Sequence, residues 1–393
     1  GPMIGQEAGS IDAVTMVDEN GERYLIWKED GNSRQRPTPI WAQKLSPDGL
    51  KLIGEMKELI RNDQPWEGNL VEGPFLLRRG DWFYMFYSGN ACCGRGCNYG
   101  LGVARAKKLL GPWEKYPRNP LLVGNEIWKC PGHGSIVTDE RGRDYLLYHA
   151  YHAQDFVYVG RQALLDEVEW NAEGWPSINQ GKGPSIRALS PAQAFTRNPE
   201  HYFHDEFEKQ DLHPAWQWPQ HNEPIARINS TAGQLHLSPR PERAKDLHGA
   251  ALAVKTTVGD YVATTLVDVH QLPPGGFAGL SAFGDMENAL GISAGAHELV
   301  LWRRQKGKTE NVALAPVNAA AGMHLKMSAA QGHLFRFSYS VNGRDWIALG
   351  GEMDLDGAYL PPWDRGVRVA LTAGGIENVN ARFDWLHLVP LTR

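Results

Sequence analysis

Apolar positions along the chain fall in short runs bounded by Gly, Asp and Asn, and aromatic and β-branched side chains concentrate inside those runs. Residues 24–27, 82–87, 145–148 and 334–339 are the clearest, and each predicts a strand. Sustained helical periodicity is scarce. The nearest helix candidate, residues 50–60, is short and interrupted by Gly54. The pattern therefore predicts an all-β protein. Around residues 195–204 the texture turns polar, with Pro199, before a fresh strand start at Phe203. That change predicts a domain boundary, with one domain over 1–196 and a second over 203–393.

The first domain contains an internal repeat. Three segments align: one from Ile11 and Asp12 through Gly21 to Tyr24, one from Val71 and Glu72 through Gly80 to Phe83, and one from Gly132 and His133 through Gly142 to Tyr145. Each is a polar residue, an apolar strand, a Gly turn and an aromatic strand. With outer strands from the intervening residues, 41–45 and 100–104, this hairpin is the unit of a propeller blade. Inner strands of a propeller converge on its axis, so Asp12, Glu72 and His133 are expected to share one funnel. The second domain alternates in short strands at 235–237, 261–269, 299–303, 334–339, 366–372 and 381–389 without a repeated polar position, which predicts a β-sandwich.

Composition narrows the function classes. The 393 residues carry a net charge of −5 and no run of five basic residues, so nucleic acids and anionic membrane surfaces are not expected partners. No apolar stretch reaches the ~18–20 residues of a membrane span. Gly1 and Pro2 before Met3 read as a processing remnant, which leaves the compartment open. Among 14 Trp, those at 66 and 128 stand just upstream of Glu72 and His133 and are the candidate pocket wall. Phosphate-cradling Gly loops and a Gly-x-Ser-x-Gly elbow are missing. The four cysteines, Cys92, Cys93, Cys97 and Cys130, read as a disulfide or free thiols shaping a loop rim, with zinc as the alternative.

Glycoside hydrolysis in its common form needs two carboxyl groups across the scissile bond. Glu72 is the candidate acid, and burial beside a second carboxylate, Asp12, is expected to keep it protonated. Glu67 is a weaker candidate, a loop or subsite residue. His149 and His152 read as packing or surface positions. Asp205 and Asp384 near two strand ends of the sandwich are candidate ligands for a structural Ca²⁺, since hard oxygen donors suit that ion. Trp216 and Trp218 could stack on sugars or on the first domain, with core or interface as the default reading.

Several of these residues stand in an order that resembles glycoside hydrolase family 43: Asp12, then Asp18 to Tyr24, Glu72 with Gly73 and Pro74, Gly111 to Trp113 with Asn119 and Pro120, Gly132 with His133, Gly160 with Arg161, and Trp170 with Gly174 to Pro176. The resemblance covers residues 10 to about 185. It implies a five-bladed propeller, an inverting mechanism, and arabinofuranosidase or β-xylosidase activity on plant-wall oligo- and polysaccharides, with no cofactor needed for the chemistry. It implies secreted or periplasmic localisation. By the same match Glu72 becomes the general acid and Asp12 the carboxylate that tunes and orients it. His133 becomes the axial His that holds a metal ion or water, and Arg161 an Arg of the sugar pocket. From Phe203 onward the chain is similar to the concanavalin-like sandwich that follows some of these propellers.

The family's general base, an Asp in an Asp-Pro motif on an upstream blade, has no counterpart in the eleven residues before Asp12. Glu7 is the one acid there, and its context does not match. The propeller is accordingly expected to be incomplete at its N-terminal side, lacking a first blade and closed by a second copy of the chain or by the sandwich. Hydrolysis is expected to be weak or absent, and a non-catalytic carbohydrate-binding protein is the alternative reading.

Overall fold

A computed structural model describes residues 2–154, 156–188, 202–317, 322–351, 354–361 and 365–391. The expected boundary falls largely on residues 189–201, outside the described set. The chain divides into two compact units. The first holds most residues up to 195; the second holds the remainder together with a short segment at 157–160.

The first unit is built from three four-stranded antiparallel meanders. They are β1 (Ser10–Val17), β2 (Arg23–Glu29), β3 (Ile40–Leu45) and β4 (Leu52–Ile60); β5 (Val71–Arg79), β6 (Trp82–Gly89), β7 (Gly100–Ala106) and β8 (Glu114–Lys115); and β9 (Trp128–Thr138), β10 (Asp144–His152), β11 (Arg161–Trp170) and β12 (Pro176–Ile178). Most of the stretch at 50–60 is thus strand, β4, rather than helix, and it is bent at Gly54, whose φ is +71°. The β1–β2 and β9–β10 hairpins close on one device. Asp18 Oδ1 accepts from the amides of Asn20 and Glu22, and Asp139 Oδ1 from those of Arg141 and Arg143. Aromatic inner faces form the core, with Phe83, Tyr84, Phe86 and Tyr87 of β6 all buried.

The inner strands β1, β5 and β9 each carry a register shift where the repeated polar residue was expected. Each shift centres on a left-handed residue: Asp12 at φ +57°, Gly73 at +60° and His133 at +51°. Such a bulge re-aims the strand and its side chains. Cross-strand pairing fixes the equivalence. Ile11 pairs with Lys28, Glu72 with Ser88 and Gly132 with His149. Glu72 is therefore the counterpart of Ile11 and Gly132, one residue before the bulge. The alignment of Glu72 with Asp12 and His133 is corrected by one position, because a bulged residue breaks the two-residue period that sequence alignment assumes.

The second unit is a sandwich of a nine-stranded and a six-stranded antiparallel sheet. Its core is one cluster that includes Phe207, Trp216, Leu252, Leu325, Phe335 and Phe383. Several strands of the six-stranded sheet, such as Ala250–Lys255, Phe277–Asp285 and Asn288–Gly295, are almost wholly buried. They carry mostly small side chains and so lack the aromatic, alternating signature that marks a half-exposed strand.

Candidate active site

The bulges bring three consecutive blades into contact. Asp12 Oδ2 accepts from the Gly73 amide at 2.9 Å, joining the left-handed residue of one blade to that of the next. A Cβ on Gly73 would lie 3.1 Å from the His133 ring, so the absence of a side chain there lets the third blade close in. Non-glycine residues in this backbone region cost ~1–2 kcal/mol, and two of them, Asp12 and His133, face one centre.

A second layer is supplied by the residues opposite the bulges on β2, β6 and β10. Lys28 reaches from the first blade to Glu72 of the second, with Nζ 2.8 Å from Oε2, and also holds Asp30 Oδ1 at 2.8 Å. Its side chain is 1% exposed. Ser88 reaches from the second blade to the third, its Oγ accepting from the His133 amide at 2.8 Å. His149, the equivalent residue of the third blade, has Nε2 3.1 Å from Arg161 Nη1.

Tyr99, just before β7, completes the set. Its hydroxyl donates to Glu72 Oε1 at 2.7 Å and its ring stacks on His149, with centroids 5.8 Å apart. Burial first, and then the Glu72 carboxylate, push the Tyr99 phenol well above its ordinary range. Tyr99 fits because residue 132 is glycine. A Cβ at Gly132 would lie 2.4 Å from the Tyr99 ring and 2.9 Å from Ser88 Oγ. Among the described residues, the groups bonded to the Glu72 carboxyl are thus an ammonium and a phenol. Asp12 acts one residue further on, through the Gly73 amide.

His149 is pushed down to about 3 by burial, with Arg161 and His133 adding to the shift. A neutral ring that accepts at Nε2 carries its proton on Nδ1, which is buried and has no hydrogen-bond partner among the described residues. Sequence reasoning set His149 aside and did not single out Lys28 or Tyr99. Strand-interior position and blade order were the only signals for His149 and Lys28, and Tyr99, just ahead of β7, carried neither.

Other expected residues sit elsewhere. Trp66 packs on β6 and β7, where a Cβ at Gly102 would lie 2.6 Å from its ring, and its Nε1 donates to Gln64. Trp128 donates to the Ser185 carbonyl at 3.0 Å and meets His152 edge-on. Glu67 is fully buried, bound by Lys115, by Tyr87 and by the amides of Asp63 and Gln64, and so holds its loop together. Glu7 is exposed and paired with Arg34 and Arg36.

The cysteines form two disulfides, Cys92–Cys93 and Cys97–Cys130, which removes zinc as their role. The second ties the loop leading to Tyr99 onto β9, three residues before His133. In the sandwich, Asp205 accepts from the Phe207 amide and from Trp216 Nε1, and Asp384 from Gln234 Nε2. Both carboxylate oxygens of Asp205 and one of Asp384 are thus engaged by N–H donors. Among the described residues no group of three or more His, Cys, Asp or Glu side chains is arranged to hold a metal ion, at His133 or in the sandwich.

Comparison with known proteins agrees with this architecture. The extracellular exo-α-(1→5)-L-arabinofuranosidase ArbA of Cellvibrio japonicus is 31% identical over 44% of this chain and 52% of its own length. The xylosidase/arabinosidase 43B of Humicola insolens is 27% identical over 74% of this chain and 54% of its own. The chain thus spans about half the length of these curated relatives. The crystal structure of the GH43 BlXynB protein from Bacillus licheniformis superposes with a TM-score of 0.81 at 23% identity, covering 98% of this chain and 75% of that one. Residues 2–176 match the family described as Glycosyl hydrolases family 43, and residues 204–388 match the Beta xylosidase C-terminal Concanavalin A-like domain. With a blade-built first unit and a sandwich second unit, the chain carries a glycosyl hydrolase family 43 domain followed by the concanavalin A-like domain described from the C-terminus of β-xylosidase.

Proposed function

We propose that the chain hydrolyses glycosides of arabinose or xylose, with Glu72 as the proton donor to the leaving oxygen while water attacks the anomeric carbon from the opposite face. The observation that carries this reading is the fixing of Glu72 from three sides: Lys28 and Tyr99 at its carboxyl and Asp12 at the adjoining amide. Lys28 and Tyr99 stabilise the carboxylate that remains once the proton has left. His133 and the Arg161–His149 pair line the same centre and serve to hold sugar hydroxyls. The chemistry uses carboxyl groups and water, with no cofactor.

Asp12 is committed to Gly73 and Asp30 to Lys28, so no positioned base is assigned among the described residues. A positioned base contributes ~10²–10⁴-fold, and turnover is accordingly expected to be weak. A second copy of the chain is the partner this reading admits, and the mass in solution by light scattering reads it.

The test exploits leaving-group chemistry. Nitrophenolate departs without protonation, whereas a sugar alkoxide does not. Glu72→Gln is expected to reduce hydrolysis of arabino- or xylo-oligosaccharides by about 10²-fold or more and that of the matching nitrophenyl glycoside far less. Equal losses on both substrates overturn the role of Glu72. Retention of oligosaccharide by the unmutated chain without turnover of either substrate supports the alternative, a carbohydrate-binding protein.

A further inference from the structure

The tryptophan pair at 216 and 218 separates in the structure. Trp216 enters the sandwich core and donates to Asp205, whereas Trp218 remains 42% exposed, the one tryptophan among the exposed large apolar side chains described. Between them, Gln217 exchanges two backbone hydrogen bonds of 2.8 Å with Ala253, on the edge strand of the six-stranded sheet. The edge is thereby closed, and Trp218 is left beside a cavity of about 370 Å³ lined wholly by residues of the second unit.

The chemistry of that cavity is mixed in a particular way. Phe283 and Met286 give an apolar surface. Arg368 is held in place by its bond to Gln217 Oε1 at 2.8 Å, and Asp285 by the amide of Glu287 and the Asn288 side chain. Planar donors and carboxylate acceptors thus surround one flat aromatic face. Each sugar hydroxyl both donates and accepts, so this set suits a pyranose or furanose ring stacked on an indole. Arg243, Arg365 and Arg368 stand against Asp285 and Glu287, so the lining offers donors and acceptors together rather than one sign of charge. The volume lies at the small end of ligand pockets, a size for one or two sugar rings rather than a polymer groove.

We propose that this cavity is a second carbohydrate site, separate from the Glu72 centre, which takes a terminal or branching unit of the polysaccharide. The identity of the glycan rests on the proposed hydrolysis of arabinose and xylose glycosides; the existence of the site does not. It gives the chain a hold on substrate that does not depend on the bond being cut.

The experiment uses the full chain carrying Glu72→Gln, so that ligand is not consumed. Arabinoxylan in affinity gels and xylotriose or arabinotriose in calorimetry serve as probes. Adding Trp218→Ala is expected to weaken retention by arabinoxylan about tenfold and to remove one of two calorimetric sites, whereas Trp218→Phe keeps most of the affinity. The indole N–H resonance of Trp218, assigned by its loss in the Ala variant, is expected to shift on titration, which reads the site without relying on the variant's fold. Unchanged retention in the Ala variant, or a Trp218 resonance that does not move at saturating ligand, overturns the proposal. Turnover by the unmutated chain, measured separately, decides the catalytic reading, and either result can stand without the other.

Discussion

Lys28→Met isolates the contact on which the Glu72 geometry depends. Methionine keeps the length of the stem and removes the charge. In the native chain the Lys28 side chain is 1% exposed and its ammonium lies 2.8 Å from both Glu72 Oε2 and Asp30 Oδ1, whose side chains are 13% and 29% exposed. Removing one member of a buried ion pair costs ~3–5 kcal/mol, because the partner charge is left without compensation. Part of that is recovered at this site. Asp30 has access to water and Glu72 keeps the Tyr99 hydroxyl, so a loss of about 2–4 kcal/mol is expected.

A single unfolding free energy is not well defined for a chain of two compact units. Hydrogen exchange of peptides from β2 and β5 in the full chain therefore reads the loss locally. Combining Lys28→Met with Glu72→Gln supplies the control. If Lys28 acts through the Glu72 charge, the double variant loses at least about 1 kcal/mol less than the sum of the singles. If the stem of Lys28 contributes only packing, the Met variant stays within about 0.5 kcal/mol of the parent and the singles add. That result refutes the role of Lys28 as the charge partner of Glu72, and with it the stabilisation of the Glu72 carboxylate during proton transfer.

Two further outcomes follow from the same centre. The folded oxidised protein is expected to show no titratable thiol in denaturant and four after reduction; opening Cys97–Cys130, whose members are 33 residues apart, costs about 3–4 kcal/mol on loop-closure grounds, while opening Cys92–Cys93 costs almost nothing because it closes no loop. His149 has a folded value of about 3 against an ordinary 6.5, so between those limits the unfolded chain binds a proton that the folded chain refuses, and stability falls as pH drops through that window. His149→Gln is expected to flatten the acid limb of stability, measured by hydrogen exchange of β10 between pH 6 and 4, by about 1.4 kcal/mol per pH unit; an identical limb in both proteins counts against a neutral buried imidazole.

Much of the first unit was legible because two of its hairpins carry their own turn chemistry. Asp18 and Asp139 cap equivalent turns, and the aromatic runs that follow are blade interiors. The sandwich was less legible where its six-stranded sheet is buried on both faces. Alanine and glycine pack there, and the alternation that announces a strand is lost. The site was legible in part. Asp12, Glu72 and His133 do converge, but their register was off by one, since a left-handed residue inserted in each inner strand is silent in sequence.

Lys28 shows why the remainder was hidden. A lysine within a strand reads as a solvent-facing position, and lysine is rarely fully buried unless paired. Its pairing partner lies 44 residues away on the next blade, so neither local pattern nor composition announces it. Yet blade order supplies a rule. Lys28 serves Glu72 and Ser88 serves His133, each from the residue opposite its own bulge to the following inner strand. In a propeller built this way the residue that completes a site is found one blade back, on the second strand, opposite the residue that precedes the bulge. The repeat register, once corrected by the pairing, locates that position even where the residue type gives no hint of it.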